Sequence, residues 1–415
     1  MDDDERAFKH ARIAVSLRRI SRTIHHLRKQ PMHPNAYSPA EWEKIVAFSA
    51  TKETPFLLVS LDRVRQKFQA FRTHFPNAKI YYAVKANPGK EVLALLRDLG
   101  SCFDIASVYE LDQMLDLGVT PDRLSFGNTI KKARHVREAY DKGIRLFASD
   151  SEADVRHLAK EAPGSRIFFR LLMDAVTSDS DWPLSRKFGC QPRMLTELVS
   201  LAADLGLEPY GISFHVGSQQ REIPAWDAAI AQVRDLYDQI ESAGIHMKAM
   251  NMGGGFPADY LVKSNPLSVY AEEINRYLDL HFGDSVPAIY LEPGRGLVGE
   301  AGVLVSEVVS IAKKSKTDLK RWVYTDVGIF NGLMETVDES IKYPAYTERT
   351  GETGDVILAG PTCDSLDIMY EHYKYQLPLS LEIGDRIFWL STGAYTASYS
   401  AIEFNGFPPL KTYYL

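Results

Sequence analysis

The sequence predicts an α/β protein in which a (β/α)8 TIM-type barrel is followed by a C-terminal all-β domain. Three observations carry this. Eight short apolar runs alternate with amphipathic helical periods between residues 79 and 291, the pattern of a parallel sheet with crossover helices. The polar motifs fall just after the runs, where a barrel places its active-site loops. Beyond about residue 300 helical periodicity becomes scarce and β-type runs are separated by turn signals. Alternation alone also fits a doubly wound sheet; the position of the polar motifs favours the barrel.

The elements follow in order. Residues 1–54 form an amino-terminal arm and a segment contributing to the β domain. Within the arm, residues 5–29 are rich in Arg, Lys and His with apolar residues interspersed. This reads as a helical arm packing on the body or on a partner subunit, with a disordered tail as the alternative, and the opening Asp2-Asp3-Asp4-Glu5 runs against a transit peptide. Pro55–Val59 is the crossing point between the two domains. The barrel, residues 55–300, takes its strands from Lys79–Val84, Cys102–Ala106, Leu124–Phe126, Arg145–Ala148, Arg166–Leu171, Gly211–His215, Lys248–Met252 and Ala288–Leu291. Each is brief and apolar, as buried parallel strands are. Helical periods lie between them, Asp150-Ser151-Glu152-Ala153-Asp154 giving the clearest start signal. Residues 301–415 form the β domain, with strands expected at Val303–Ile311, Arg321–Val327, Val356–Ala359, Leu379–Leu381 and Arg386–Leu390.

Composition narrows the class. At 415 residues the chain exceeds one ordinary core. A net charge of -6 argues against nucleic acid or an anionic membrane as the main partner. Three widely spaced cysteines, Cys102, Cys190 and Cys363, suit a reducing compartment rather than a disulfide framework. No apolar run reaches the roughly 18 residues a spanning helix needs, so a cytoplasmic location is expected. No metal site is expected.

The strand ends carry the chemistry. Tyr81-Tyr82-Ala83-Val84-Lys85-Ala86-Asn87-Pro88 puts a lysine at the end of the first barrel strand. Its apolar flanks would desolvate it and depress its pKa, and a low-pKa amine forms Schiff bases with an aldehyde cofactor. Asn251-Met252-Gly253-Gly254-Gly255-Phe256 follows the seventh strand and Glu292-Pro293-Gly294-Arg295-Gly296 the eighth. Barrels frequently build phosphate sites from the loops after these two strands, and a glycine triplet lets backbone N–H groups approach an anion. His215 ends the sixth strand; alone it reads more readily as a hydrogen-bonded core histidine than as a catalytic one. Glu292, at an apolar strand end, needs a cationic partner to stay ionised.

The ordered set YAVKAN (82–87), FDIAS (103–107), FHVGSQ (214–219), GGGFP (253–257), EPGR (292–295), GPTCDSLD (360–367) and GAYT (393–396) resembles the fold-type III pyridoxal-phosphate decarboxylases, whose fold is alanine-racemase-like. The ornithine decarboxylase branch is the most similar, and Glu335–Glu339 followed by Lys342-Tyr343-Pro344 looks more like bacterial members acting on ornithine, lysine or both. The likeness runs from about Pro55 to Phe407.

The resemblance implies pyridoxal 5'-phosphate as cofactor, with Lys85 holding it as a Schiff base. Glu292 would pair with the pyridine nitrogen and His215 would stack on the ring. Ser218, the Gly253, Gly254 and Gly255 backbone, Arg295 and Tyr395 would hold the phosphate; Asp104 and Arg170 would stand near the cofactor. Cys363 and Asp364 would reach into the neighbouring subunit of a homodimer, with Cys363 protonating the substrate Cα after loss of carboxylate. The implied reaction is decarboxylation of a basic L-amino acid: ornithine to putrescine first, as in polyamine biosynthesis, then lysine to cadaverine. Asp364, Glu335 and Asp338 are the candidates to meet the distal ammonium. Diaminopimelate decarboxylase is an alternative, although Cys363-Asp364-Ser365 stands where that enzyme reads Cys-Glu-Ser. Arginine decarboxylase and a non-catalytic regulatory paralogue are others. Asn251 departs from the Asp common before the glycine triplet, so no charge role is expected there. The polar segment Thr177–Pro183, upstream of Lys187-Phe188-Gly189, reads as a mobile lid.

Overall fold

The computed structural model describes residues 34–173, 180–181 and 187–415. The expected helical arm lies outside them, as does most of the expected lid; of the latter, Asp181 pairs with Arg221, Nη2 to Oδ1 at 2.6 Å.

A first strand, β1 (Phe56–Val59), precedes the barrel. The barrel is closed by eight parallel strands in sequence order: β2 (Ala78–Ala83), β3 (Cys102–Ile105), β4 (Leu124–Phe126), β5 (Leu146–Ser149), β6 (Arg166–Arg170), β7 (Glu208–Ser213), β8 (Ala249–Asn251) and β9 (Ala288–Leu291). Closure is made by β2 on β9, with Ala78 opposite Ile289. Outward residues of the strands pack under a ring of helices whose apolar faces have helical spacing; Val92, Leu93 and Leu96 of Lys90–Asp98 are one such face. Ser107 and Ser151 cap their helices through Oγ, and the start signal at Asp150–Asp154 begins the helix Glu152–Glu161. At the amino end the barrel is plugged by Tyr81, Phe168, Tyr210 and Tyr290, with Tyr210 and Tyr290 hydroxyls 2.9 Å apart. Chemistry is thereby confined to the carboxyl end.

The second body is an eight-stranded sheet. Its centre is β10 (Gly302–Ala312), followed by β11 (Arg321–Thr325), β12 (Ala345–Tyr346), β13 (Thr353–Ala359), β14 (Ile368–Pro378), β15 (Arg386–Leu390) and β16 (Lys411–Tyr414). The order is β12-β15-β10-β11-β13-β14, with β1 pairing β10 antiparallel and β16 parallel. Phe56–Val59 thus lies in this sheet, with Pro55 just before it. The helix Pro39–Ser49 covers the sheet, with the Trp42 ring edge-on to Tyr346 and Phe388 at 5.0 Å each. One expected strand is corrected: Leu379–Leu381 is the turn beyond β14, and β14 itself was not anticipated. Its sequence alternates Tyr370, Glu371, His372, Tyr373 and Lys374, and among the described residues it pairs with β13 alone, so one face meets water and its apolar run is diluted.

The two bodies are stitched at the mouth of the barrel. Asn87 Nδ2 donates to the Gly393 carbonyl at 2.8 Å, Tyr395 N to the Ala86 carbonyl at 2.9 Å, and Ser398 Oγ to the Lys85 carbonyl at 3.0 Å. These bonds bring residues 393–398 of the sheet domain over the end of β2.

Candidate active site

Lys85 sits in the single 3-10 turn Val84–Ala86 that ends β2. Val84 and Ala86 turn into the core, which leaves Lys85 facing the mouth, with 50% of its side chain exposed. Its Nζ lies 2.9 Å from Oδ2 of Asp104, a residue of β3 with only 4% of its side chain exposed. Burial alone would lower the lysine pKa; the charge of Asp104, with Tyr395 and Glu292 behind it, outweighs this and lifts it above the usual range. The expected depression is therefore corrected. Apolar flanks report desolvation, but not the carboxylate that the next strand brings across. The other oxygen, Asp104 Oδ1, is buried with no hydrogen-bond partner among the described residues.

His215 and Glu292 follow β7 and β9. The His215 ring is held by Gly217 N–H, which donates to Nδ1 at 3.0 Å. Burial, then the cations Arg170 and Lys85, push its pKa down to about 3, so the ring is neutral. Glu292 is pushed up to about 7 by burial and by Asp104, against the pull of Lys85 and of the hydrogen bond from Asn251. Arg170, at the end of β6, stacks its guanidinium over the Phe188 ring at 4.8 Å.

The glycine triplet and the Ser218 and Arg295 loops form a cup. Gly253 has φ +63°, and a Cβ there would stand 2.4 Å from the Phe214 carbonyl oxygen. Gly255 has φ +96°, and its Cβ would meet the Gly217 carbonyl at 2.7 Å. Only glycine lets these backbones close together. Arg295 is 3% exposed and lies under the Tyr395 ring, 5.0 Å from its centroid. Tyr395 itself holds φ +55°, fixed by its N–H bond to Ala86. The cup of backbone N–H groups, the Ser218 hydroxyl and a buried guanidinium fits a phosphate, and Lys85 beside it fits an aldehyde. Pyridoxal phosphate would be held by these residues.

Glu335 was expected to receive a substrate ammonium and meets a different geometry. It is 3% exposed, and its two oxygens accept from Arg295, Oε2 from Nη1 at 2.7 Å and Oε1 from Nη2 at 2.5 Å. It belongs to the floor of the cup. Asp338 is exposed at φ +53°. Cys363 is exposed; its N–H donates to Asn405 Oδ1 at 2.7 Å, and Asp364 Oδ1 accepts from Leu366 N–H at 2.9 Å. Among the described residues no hydrogen bond or ion pair joins Cys363 or Asp364 to Lys85, His215 or Glu292.

Three residues that sequence reasoning passed over complete the site. Asn251 Nδ2 donates to Glu292 Oε1 at 2.6 Å and its Oδ1 accepts from Gly253 N–H at 2.9 Å. Tyr260 OH accepts from Arg295 Nη1 at 2.7 Å. Tyr343 OH donates to Glu335 Oε2 at 3.4 Å. Asn251 was visible as a departure before the glycines and Tyr343 as part of Lys342-Tyr343-Pro344, yet nothing in the chain order places Tyr260 or Tyr343 beside the Arg295–Glu335 pair.

Residues 61–299 match the model of the family described as pyridoxal-dependent decarboxylase, pyridoxal binding domain. A lysine/ornithine decarboxylase of Selenomonas ruminantium is 35% identical over 355 residues, 85% of this chain and 88% of that protein. An antizyme inhibitor 2 of Xenopus laevis is 30% identical, covering 86% of this chain and 80% of its own. The crystal structure of a lysine/ornithine decarboxylase of Vibrio vulnificus complexed with cadaverine superposes with a TM-score of 0.82 at 29% identity, covering 91% of this chain and 99% of the other.

Proposed function

Because the chain belongs to the pyridoxal-dependent decarboxylases, we propose that it removes the carboxylate of a basic L-amino acid, L-ornithine first and L-lysine second, as a cytoplasmic homodimer. The observation that carries the reading is the Lys85–Asp104 pair at 2.9 Å, set beside Glu292 and His215 at one barrel mouth. The bound cofactor supplies an aldehyde for amine exchange and an electron-accepting ring.

The residues divide the work. Asp104 holds Lys85 Nζ at 2.9 Å and favours the charged form of the free amine. Glu292, poised near 7, ionises against a cationic ring nitrogen and gains the counter-charge that burial denies it. Neutral His215 offers an uncharged ring face. Ser218, Gly253–Gly255, Arg295 and Tyr395 anchor the phosphate end, and Arg170 stands near Glu292 and His215. Cys363 delivers a proton to Cα from the opposite subunit, and Asp364 and Asp338 are the carboxylates left to face a distal ammonium.

Exposure supports the dimer. Leu366 is 71% and Ile402 72% exposed, and the Cys363–Asn405 hydrogen bond brings their two segments together. An apolar patch around an isolated nucleophile suits coverage by a second copy. Among the described residues no helix is long and apolar enough to cross a membrane.

The regulatory alternative draws on the likeness to antizyme inhibitor 2; the intact Lys85, Glu292 and Cys363 favour catalysis. Rates of amine formation from ornithine, lysine, arginine and diaminopimelate with added cofactor test the proposal. Turnover of ornithine or lysine supports it. Bound cofactor without turnover of any of the four would replace the substrate reading.

A further inference from the structure

We propose that the hairpin tip joining β10 to β11, residues 313–321, docks on an anionic lipid surface. Leu319 enters the headgroup layer and the lysines around it meet the lipid anions. The inference stands apart from the barrel mouth and its chemistry.

Lys313-Lys314-Ser315-Lys316-Thr317-Asp318-Leu319-Lys320-Arg321 holds five cations and one carboxylate, a local charge of +4 in a chain of net charge -6. The carboxylate is folded back on the turn: Asp318 Oδ2 accepts from Ser315 N–H and Oδ1 from Ser315 Oγ, both at 2.7 Å. Among the described residues none of the four lysines makes an ion pair. Lys314 Nζ donates to Tyr324 OH at 2.6 Å and lies 4.7 Å from the Trp322 ring centre. Lys320 Nζ donates to the Glu371 carbonyl at 2.7 Å, and Arg321 to the carbonyls of Leu377, Pro378 and Leu379. These bonds hold the cations without neutralising them.

Leu319 is 94% exposed, the most exposed large apolar side chain among the described residues. An apolar tip ringed by unpaired cations matches a lipid surface, which offers anions outside and hydrocarbon beneath. Trp322 and Tyr324, half-buried and stacked 6.0 Å apart at the base of the hairpin, are the side chains that settle at headgroup level. A nucleic acid would meet the charge but leave Leu319 in water.

The topology keeps the tip open. Strands β11 and β13 are parallel, with Arg321 opposite Val356. The hairpin precedes β11 and the Cys363 segment follows β13, so the two lie at opposite ends of the sheet. A second copy covering Cys363 and Leu366 leaves the hairpin exposed, and a homodimer presents it twice. Each cation held at an anionic surface strengthens binding about fivefold, so the contact is peripheral, reversible and sensitive to salt.

The test is co-sedimentation of the full chain with vesicles of phosphatidylcholine alone and of phosphatidylcholine mixed with phosphatidylserine. The wild type is compared with Leu319→Ser and with the double variant Lys313→Gln/Lys316→Gln, and circular dichroism confirms that both variants fold. The wild type should bind the mixed vesicles in preference to the neutral ones, and added salt should release it. The double variant should lower the partition coefficient about thirtyfold, and Leu319→Ser about tenfold. Three results overturn the inference: no binding to mixed vesicles at low salt, equal binding to neutral ones, or binding unchanged in both variants. A single-stranded oligonucleotide bound in place of the vesicles, and equally well by Leu319→Ser, overturns it too and makes nucleic acid the partner.

Discussion

The Asn251 side chain bridges the glycine cradle to the acid of the site: Nδ2 donates to Glu292 Oε1 at 2.6 Å while Oδ1 accepts from Gly253 N–H at 2.9 Å. One amide thus fixes both the backbone that faces the phosphate and the carboxylate that faces the ring. Hydrogen bonding to the ionised form holds the Glu292 pKa down against burial and Asp104. Asn251→Leu removes that donor, so the Glu292 pKa should rise above about 7 and the acid limb of kcat/KM should move to higher pH. A hydrogen bond to a charged group contributes about 1.5–3 kcal/mol, so kcat/KM at neutral pH should fall roughly 10- to 100-fold and recover in part at alkaline pH. An acid limb that stays in place would show that Asn251 does not act through Glu292.

His215 supplies a stability prediction. Its folded pKa, about 3, lies below the ordinary 6.5. The folded state therefore binds the proton less readily than the unfolded chain, and stability rises with pH through this interval. The contribution is whole above 6.5 and is lost as pH falls toward 3. Burial and the facing cations Arg170 and Lys85 are the causes. His215→Phe should flatten the fall of Tm with acid in this window. An equally steep fall would place the acid sensitivity elsewhere.

Lys131 is a buried cation outside the chemistry. Its side chain is fully buried, and Nζ donates to Asp154 Oδ2 and to the Ala148 carbonyl at 2.8 Å each. Ser149 Oγ donates to the same carboxylate at 2.7 Å. The cluster ties the loop after β4 to β5 and its helix. Lys131→Met would leave Asp154 buried without its cation and should destabilise the fold by about 3–5 kcal/mol, read from chemical denaturation. A loss within about 1 kcal/mol would mean that the pair is as weak as a surface one.

The shared site is open to a mixing experiment. If Lys85 of one protomer works with Cys363 of the other, Lys85→Ala and Cys363→Ala each sharply lower amine formation, the activity read here, in their own homodimer. Random re-association makes half the dimers hybrid, each with one intact site, so about a quarter of wild-type activity should return. No recovery would confine both residues to one chain. In Cys363→Ala alone, cofactor should still bind while the yield of amine per carboxylate lost falls; a normal yield would remove the protonation role.

Much of the barrel was legible because buried parallel strands are short apolar runs, and the strand-end motifs marked Lys85, His215, Glu292 and the glycine triplet. What escaped was set by contacts distant in sequence. Lys85 is raised rather than depressed because Asp104 crosses from the next strand. Glu335 read as a substrate ligand, yet it folds onto Arg295, 40 residues earlier. Strand β14 was hidden by its charged, solvent-facing half.

The central claim is that Lys85 carries the cofactor of a basic amino acid decarboxylase. Its most direct test is carboxylate release from ornithine and lysine, recorded with the absorbance of the cofactor on wild type and on Lys85→Ala. The account predicts turnover of one or both substrates by the wild type. In the variant the lysine-linked absorbance should disappear and the rate should fall at least about a thousandfold, as when a covalent nucleophile is lost. A variant that keeps both the absorbance and the rate would contradict the assignment.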